Sequence, residues 1–80
     1  MEDFRNFISI DPNIRFGKPC IINTRITVGD VLGWLAGGMA IDEILTDFPE
    51  LSIESIRAVF AFAADRENSV KMLVSKINQA

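Results

Sequence analysis

Histidine is absent from this 80-residue chain, and cysteine occurs once, at position 20. Without an imidazole the commonest base near neutral pH is missing, so neither a Ser–His–Asp nor a Cys–His nucleophile can be assembled within one chain. A single thiol forms no internal disulfide, and one cysteine without histidine provides no zinc-binding set. Asp42 and Glu43 are a carboxylate pair, but they are neighbours on a helix and do not face each other. No apolar run reaches the ~18 residues of a membrane span. The opening MEDFRNF carries two acids and no long apolar stretch, unlike a secretory signal. These absences point to a cytoplasmic binding protein and not an enzyme, with no catalytic, metal or cofactor site.

What is present is apolar bulk: 49% hydrophobic residues, with six Phe and Trp34. One domain of this length sits near the lower limit at which a single core is stable. A chain so short and so apolar is expected to complete its core by pairing, which predicts a homodimer. Charge is unevenly placed. Residues 5–25 hold Arg5, Arg15, Lys18 and Arg25 against Asp11 alone, whereas residues 41–80 hold seven acids and four bases. The net charge of −3 therefore conceals a basic N-terminal segment on an acidic body, a pattern suited to a polyanion or an acidic partner on one side.

The hydrophobic period is short at first and then lengthens. Ile8-Ser9-Ile10 and Ile14-Arg15-Phe16 alternate around the turn cluster Asp11-Pro12-Asn13, and Cys20-Ile21-Ile22 is rich in β-branched residues. Residues 7–26 thus read as a β-hairpin arm, too slight to be stable alone. Thr27 can cap a helix, with Asp30 completing a capping box. Val28, Val31, Leu32 and Leu35 share a face beside Trp34, and Gly37-Gly38 ends the helix. Ile41, Ile44, Leu45 and Phe48 form a second helix, stopped at Pro49. Ser52 caps a third, with Ile53, Ile56, Val59, Phe60 and Ala63 inward and Glu54, Ser55, Arg57, Ala58 and Asp65 outward. Asn68 or Ser69 is read as the cap of a fourth, amphipathic helix over 67–80, where Val70, Leu73, Val74 and Ile77 recur at helical spacing. The expectation is a mainly α single domain, with a helix-turn-helix-like three-helix bundle over 27–66. The outward face of its third helix carries little positive charge, which argues against a recognition helix.

Ile10-Asp11-Pro12, Gly17-Lys18-Pro19, Thr24-Arg25-Ile26-Thr27-Val28, Leu35-Ala36-Gly37-Gly38 and Asp42-Glu43-Ile44-Leu45 follow one another in an order that resembles the bacterial domain-of-unknown-function family 433. Phe48-Pro49-Glu50-Leu51-Ser52 and Ile56-Arg57-Ala58 extend the resemblance, which covers roughly residues 7–65. It implies a homeodomain-like bundle with an N-terminal β-hairpin. It also implies a VapB-type antitoxin role: neutralising a PIN-like ribonuclease toxin and possible repression of the operon through operator DNA. Where the family pattern has glycine before Gly-Lys-Pro, this chain has Phe16, so either the backbone there does not need glycine's freedom or the strand packs differently. Asn23 replaces glycine before Thr-Arg, and asparagine tolerates the positive φ such a turn uses. Ala40 stands where a Ser or Thr cap is usual, and Ile22 where a base is usual.

Arg15, Lys18 and Arg25, with Arg57, are the candidate contacts to nucleic acid or to an acidic partner. The alternative is a structural hairpin whose Lys18 and Arg25 meet water, Asp30 or Glu43. Cys20 reads as a small buried apolar residue and not a reactive thiol. The second candidate set is Arg66, Val70, Lys71, Leu73, Val74, Lys76 and Ile77. Its apolar stripe either packs on its own bundle or a second copy, or docks into a toxin groove. The competing reading of the whole chain is a dimeric interaction domain that does not bind DNA.

Overall fold

The computed structural model describes the backbone of residues 4–78 and the side-chain surroundings of residues 4–68. Two antiparallel strands, β1 (Ile8–Ser9) and β2 (Cys20–Ile21), pair with Ile8 opposite Ile21 and Ser9 opposite Cys20. Three helices follow: α1 (Val28–Ala36), α2 (Ile41–Asp47) and α3 (Ile53–Asn78). Short 3-10 turns at Phe4–Asn6 and Arg15–Gly17 flank and interrupt the ribbon. The molecule is a mainly helical small globule with a two-stranded sheet.

Local chemistry sets most of the boundaries. Thr27 is extended, and its hydroxyl accepts the Asp30 N–H at 2.8 Å while the Asp30 carboxylate accepts the Thr27 N–H at 3.1 Å. This is the reciprocal box that satisfies two orphan donors at a helix start. At the other end of α1, Met39 N–H reaches Trp34 O at 3.0 Å and Gly38 N–H reaches Leu35 O at 3.1 Å, with Gly38 at φ +102°. These paired bonds form a Schellman stop, whose left-handed residue suits glycine. Ala40 has no side chain to cap α2, and only Glu43 reaching back to the Ala40 N–H at 3.1 Å compensates. Phe48 leaves the helical region before Pro49. Ser52 and Ser55 then bond each other's N–H groups to open α3.

The core gathers all three helices on the ribbon. Val31, Ile44, Ile56 and Val59 are wholly buried, with Ile8, Ile21, Val28, Leu51 and Ala58 around them. Burying a side chain of this size contributes about 1.5–3 kcal/mol. Trp34 stacks on Phe48 at 4.3 Å, tying α1 to the end of α2. Phe4 meets Phe62 edge-on at 5.6 Å, seating the start of the chain on α3.

Three sequence expectations are corrected. Ile14-Arg15-Phe16 is not a strand: Arg15 and Phe16 take left-handed φ values of 49° and 60°, so the alternation of apolar residues there belongs to a tight turn. The inward face of α3 is rotated. Ser55 and Ala58 are buried while Ile53 and Phe60 are exposed at 40% and 46%, because the small side chains admit close packing and leave the bulkier ones outside. There is no separate fourth helix: α3 runs unbroken through Asn68 and Ser69. Neither residue is a strong breaker, and no Pro or Gly intervenes to stop propagation.

Candidate functional site

The arm is shaped by an unusual turn. Arg15, Phe16 and Gly17 are successive left-handed residues (φ 49°, 60° and 79°), closed by Gly17 N–H to Ile14 O at 3.1 Å and Lys18 N–H to Arg15 O at 3.2 Å. For an L-residue this conformation is disfavoured by about 1–2 kcal/mol. A tether holds it in place. The Arg15 guanidinium donates to the Arg25 carbonyl at 2.9 Å and to the Asp30 carboxylate at 3.2 Å, linking both sides of the arm to the start of α1. Partial burial pushes the Asp30 carboxyl up. Hydrogen bonding with Thr27 and the charge of Arg15 outweigh that effect and hold it below the ordinary carboxylate value.

The four candidate cations therefore divide. Arg15 is committed to the tether, and it is Arg15 that takes Asp30. Lys18, Arg25 and Arg57 are exposed. The second turn of the arm is built as its composition implies: Asn23 has φ 63°, and the Thr24 hydroxyl donates to Ile21 O at 2.8 Å and accepts the Ile26 N–H at 3.0 Å. Cys20 is 3% exposed, with its thiol directed at the Lys18 carbonyl 3.4 Å away, the setting of a packed side chain.

Two concavities bring separated residues together. One lies between the start of α1 and the middle of α3, with Pro19, Val28, Leu32 and Phe62 as apolar lining and Lys18 and Arg66, together with Asp30 and Glu67, as its charged lining. It unites one cation from each of the two sets that the sequence kept apart. Arg66 also lies over the Phe62 ring at 5.3 Å. The second is a cleft on the ribbon lined by Ile10, Ile14, Ile22, Asn23 and Arg25. Arg57 lines neither. Val70, Lys71, Leu73, Val74, Lys76 and Ile77 fall on the last turns of α3, outside the residues whose side chains are described. Among the described residues no three His, Cys, Asp or Glu side chains cluster to hold a metal ion, and no helix is long and apolar enough to cross a membrane.

Sequence reasoning missed the exposed apolar residues of the arm. Phe16 is 96% exposed, Ile10 63% and Ile22 37%. The signal at Phe16 was a bulky residue where the related pattern has glycine; the expectation that its backbone does not need glycine's freedom is corrected, since its φ is left-handed at 60°.

A family profile described as "Protein of unknown function (DUF433)" matches residues 8–63. The uncharacterized protein y4eO of Sinorhizobium fredii (strain NBRC 101917 / NGR234) is 32% identical over 59 residues, which cover 74% of this chain and 27% of that protein. The chain thus spans about a quarter of the length of this curated relative. The fold is similar to the crystal structure of a DUF433 member protein from Anabaena variabilis, with a TM-score of 0.75 and 25% identity over 89% of this chain and 70% of that one.

Proposed function

The chain belongs to the DUF433 family, and from that premise we propose that it is a protein-binding module of the antitoxin type, which neutralises a PIN-like ribonuclease encoded beside it. The observation that carries this reading is the groove between α1 and α3. Its apolar lining is joined by Lys18 and Arg66, and of its two acids, Asp30 and Glu67, Asp30 is already held by Arg15, which leaves cations for a partner surface that combines apolar area with carboxylates. A nuclease that gathers carboxylates around divalent metal is such a partner. Arg66 is also the first residue of the second candidate set, the rest of which follows along α3.

Repression through operator DNA is the less favoured half of this reading. In a homeodomain-like arrangement the start of α3 would approach the duplex. Its exposed charges over the first two turns are Glu54 against Arg57, so it presents no net positive charge to phosphate. Arg15 is engaged with Asp30 and Arg25, which leaves fewer cations for a backbone contact. This distribution favours the second reading, an interaction domain without DNA binding, over autorepression.

The test is co-expression with the neighbouring reading frame. The wild type should co-purify with the nuclease and protect cells from it. Lys18→Glu with Arg66→Glu, and separately Leu73→Asp with Ile77→Asp, should abolish both while helical content by circular dichroism is retained. A folded wild type that neither binds nor protects would sink the antitoxin role.

A further inference from the structure

Phe16 presents an unbalanced account within a single chain. Its backbone is in a conformation that glycine adopts freely, yet the position carries a large aromatic ring that is 96% exposed. The ring gains almost no burial there, and the backbone strain is not relieved by any contact of its own. Strain of this kind persists where the surrounding structure enforces it and clusters at binding sites. Aromatic residues, Phe among them, are also enriched in the cores of protein interfaces relative to the rest of the surface.

The surroundings of Phe16 give the chemistry of what would cover it. Ile10 and Ile22 are exposed on the same arm, and Lys18 and Arg25 are its exposed cations. The complementary surface occurs on this chain. From Asp42 to Phe60 there are five acids and one base, and Asp42, Glu43, Asp47, Glu50 and Glu54 are all exposed. Within the same stretch Ile53 and Phe60 are the only other large hydrophobics exposed among the described residues. Seven positions apart on α3, they lie on one side of the helix, with Arg57 the exception in charge between them.

The arm cannot make this contact in its own molecule. Its pairing at Ile8–Ile21 and the Arg15 tether to Asp30 fix it against α1, and Phe16, Ile53 and Phe60 remain exposed in that arrangement. We propose that the Phe16 arm docks on the acidic, apolar α2–α3 surface of a second copy of this chain. A twofold axis lets each arm meet the other copy's body, so the contact is made twice and the assembly closes as a dimer. Lys18 also lines the α1–α3 groove, whereas Phe16, Arg25, Asp47 and Glu50 do not, so the Phe16→Gly and Asp47→Lys with Glu50→Lys variants test this contact apart from any toxin.

Sedimentation of the full chain at micromolar concentration tests it. The wild type should run at twice the chain mass. Phe16→Gly fits the left-handed turn and should keep the fold, while its dissociation constant rises by about tenfold or more. Lys18→Glu with Arg25→Glu, and separately Asp47→Lys with Glu50→Lys, should each sediment as monomers. Mixed together, the two charge-reversed proteins should dimerise again, since each supplies the sign the other has lost. A wild-type monomer, a Phe16→Gly variant that dimerises as tightly as the wild type, or no association on mixing would each overturn the proposal.

Discussion

Replacing Phe16 by Gly should make the isolated chain more stable, although it deletes a large hydrophobic side chain. The left-handed region disfavours an L-residue by about 1–2 kcal/mol, and Phe16 occupies it at φ 60°, ψ 33°. Glycine enters that region freely, but its looser unfolded chain takes back roughly 0.5–1 kcal/mol. The ring is 96% exposed, so its removal forfeits little burial. The balance is a gain of about 0.5–1 kcal/mol, which for a domain of this size corresponds to a rise of roughly 2–8 °C in Tm. Thermal and urea unfolding should be followed at a dilution where the wild type is monomeric, because self-association adds stability by mass action. Phe16→Asn should gain a similar amount, since asparagine tolerates the left-handed region. Phe16→Ala keeps most of the strain and should stay near the wild type. If Phe16→Gly lost about 1 kcal/mol in dilute solution, the ring would be packing within the monomer, and the reasoning from exposure and strain would fail together.

Two further outcomes follow from the helix starts. Asp30 holds its proton less tightly when folded, so its contribution is fully present above the ordinary carboxylate value of 3.8 and is lost as the pH falls below it. An acid titration followed by circular dichroism should show this loss diminished in Asp30→Asn, and an unchanged acid limb would rule out the Thr27–Asp30–Arg15 cluster as its source. Ala40 already has the extended backbone of an N-cap (φ −79°, ψ 154°), so Ala40→Ser should add about 1 kcal/mol, read as a higher urea midpoint at unchanged m-value; no increase would mean that Glu43 alone satisfies the start of α2.

The elements legible in the sequence are those whose causes are close along the chain. Thr27 with Asp30, Gly37-Gly38, Phe48-Pro49 and Ser52 each fix a boundary within about four residues, and the helices begin and end there. Asn23 was readable for the same reason. The left-handed turn at Arg15 and Phe16 was not, because the bond that holds it comes from Asp30, fifteen residues away. In isolation the same residues alternate like a strand. The face of α3 was misjudged because hydrophobicity ranks Ile53 and Phe60 above Ser55 and Ala58, whereas the available space against the bundle suits the smaller pair. The groove was invisible for a related reason: Lys18 and Arg66 meet only once the ribbon, α1 and α3 are assembled. Family membership, by contrast, rests on spaced motifs and was readable directly.

Phe4 rests on Phe62, fifty-eight residues later in the chain. During synthesis the first residues emerge long before their seat exists, and at ~5–20 residues per second they wait several seconds for the middle of α3. The ribbon is too small to fold while it waits. Helices α1 and α2 can form early from their own caps, but the first and last elements must join late, across a large loop whose closure opposes them entropically. The domain should therefore fold more slowly than a simple helical bundle of its length, with the seating of the N-terminal segment on α3 among the last events.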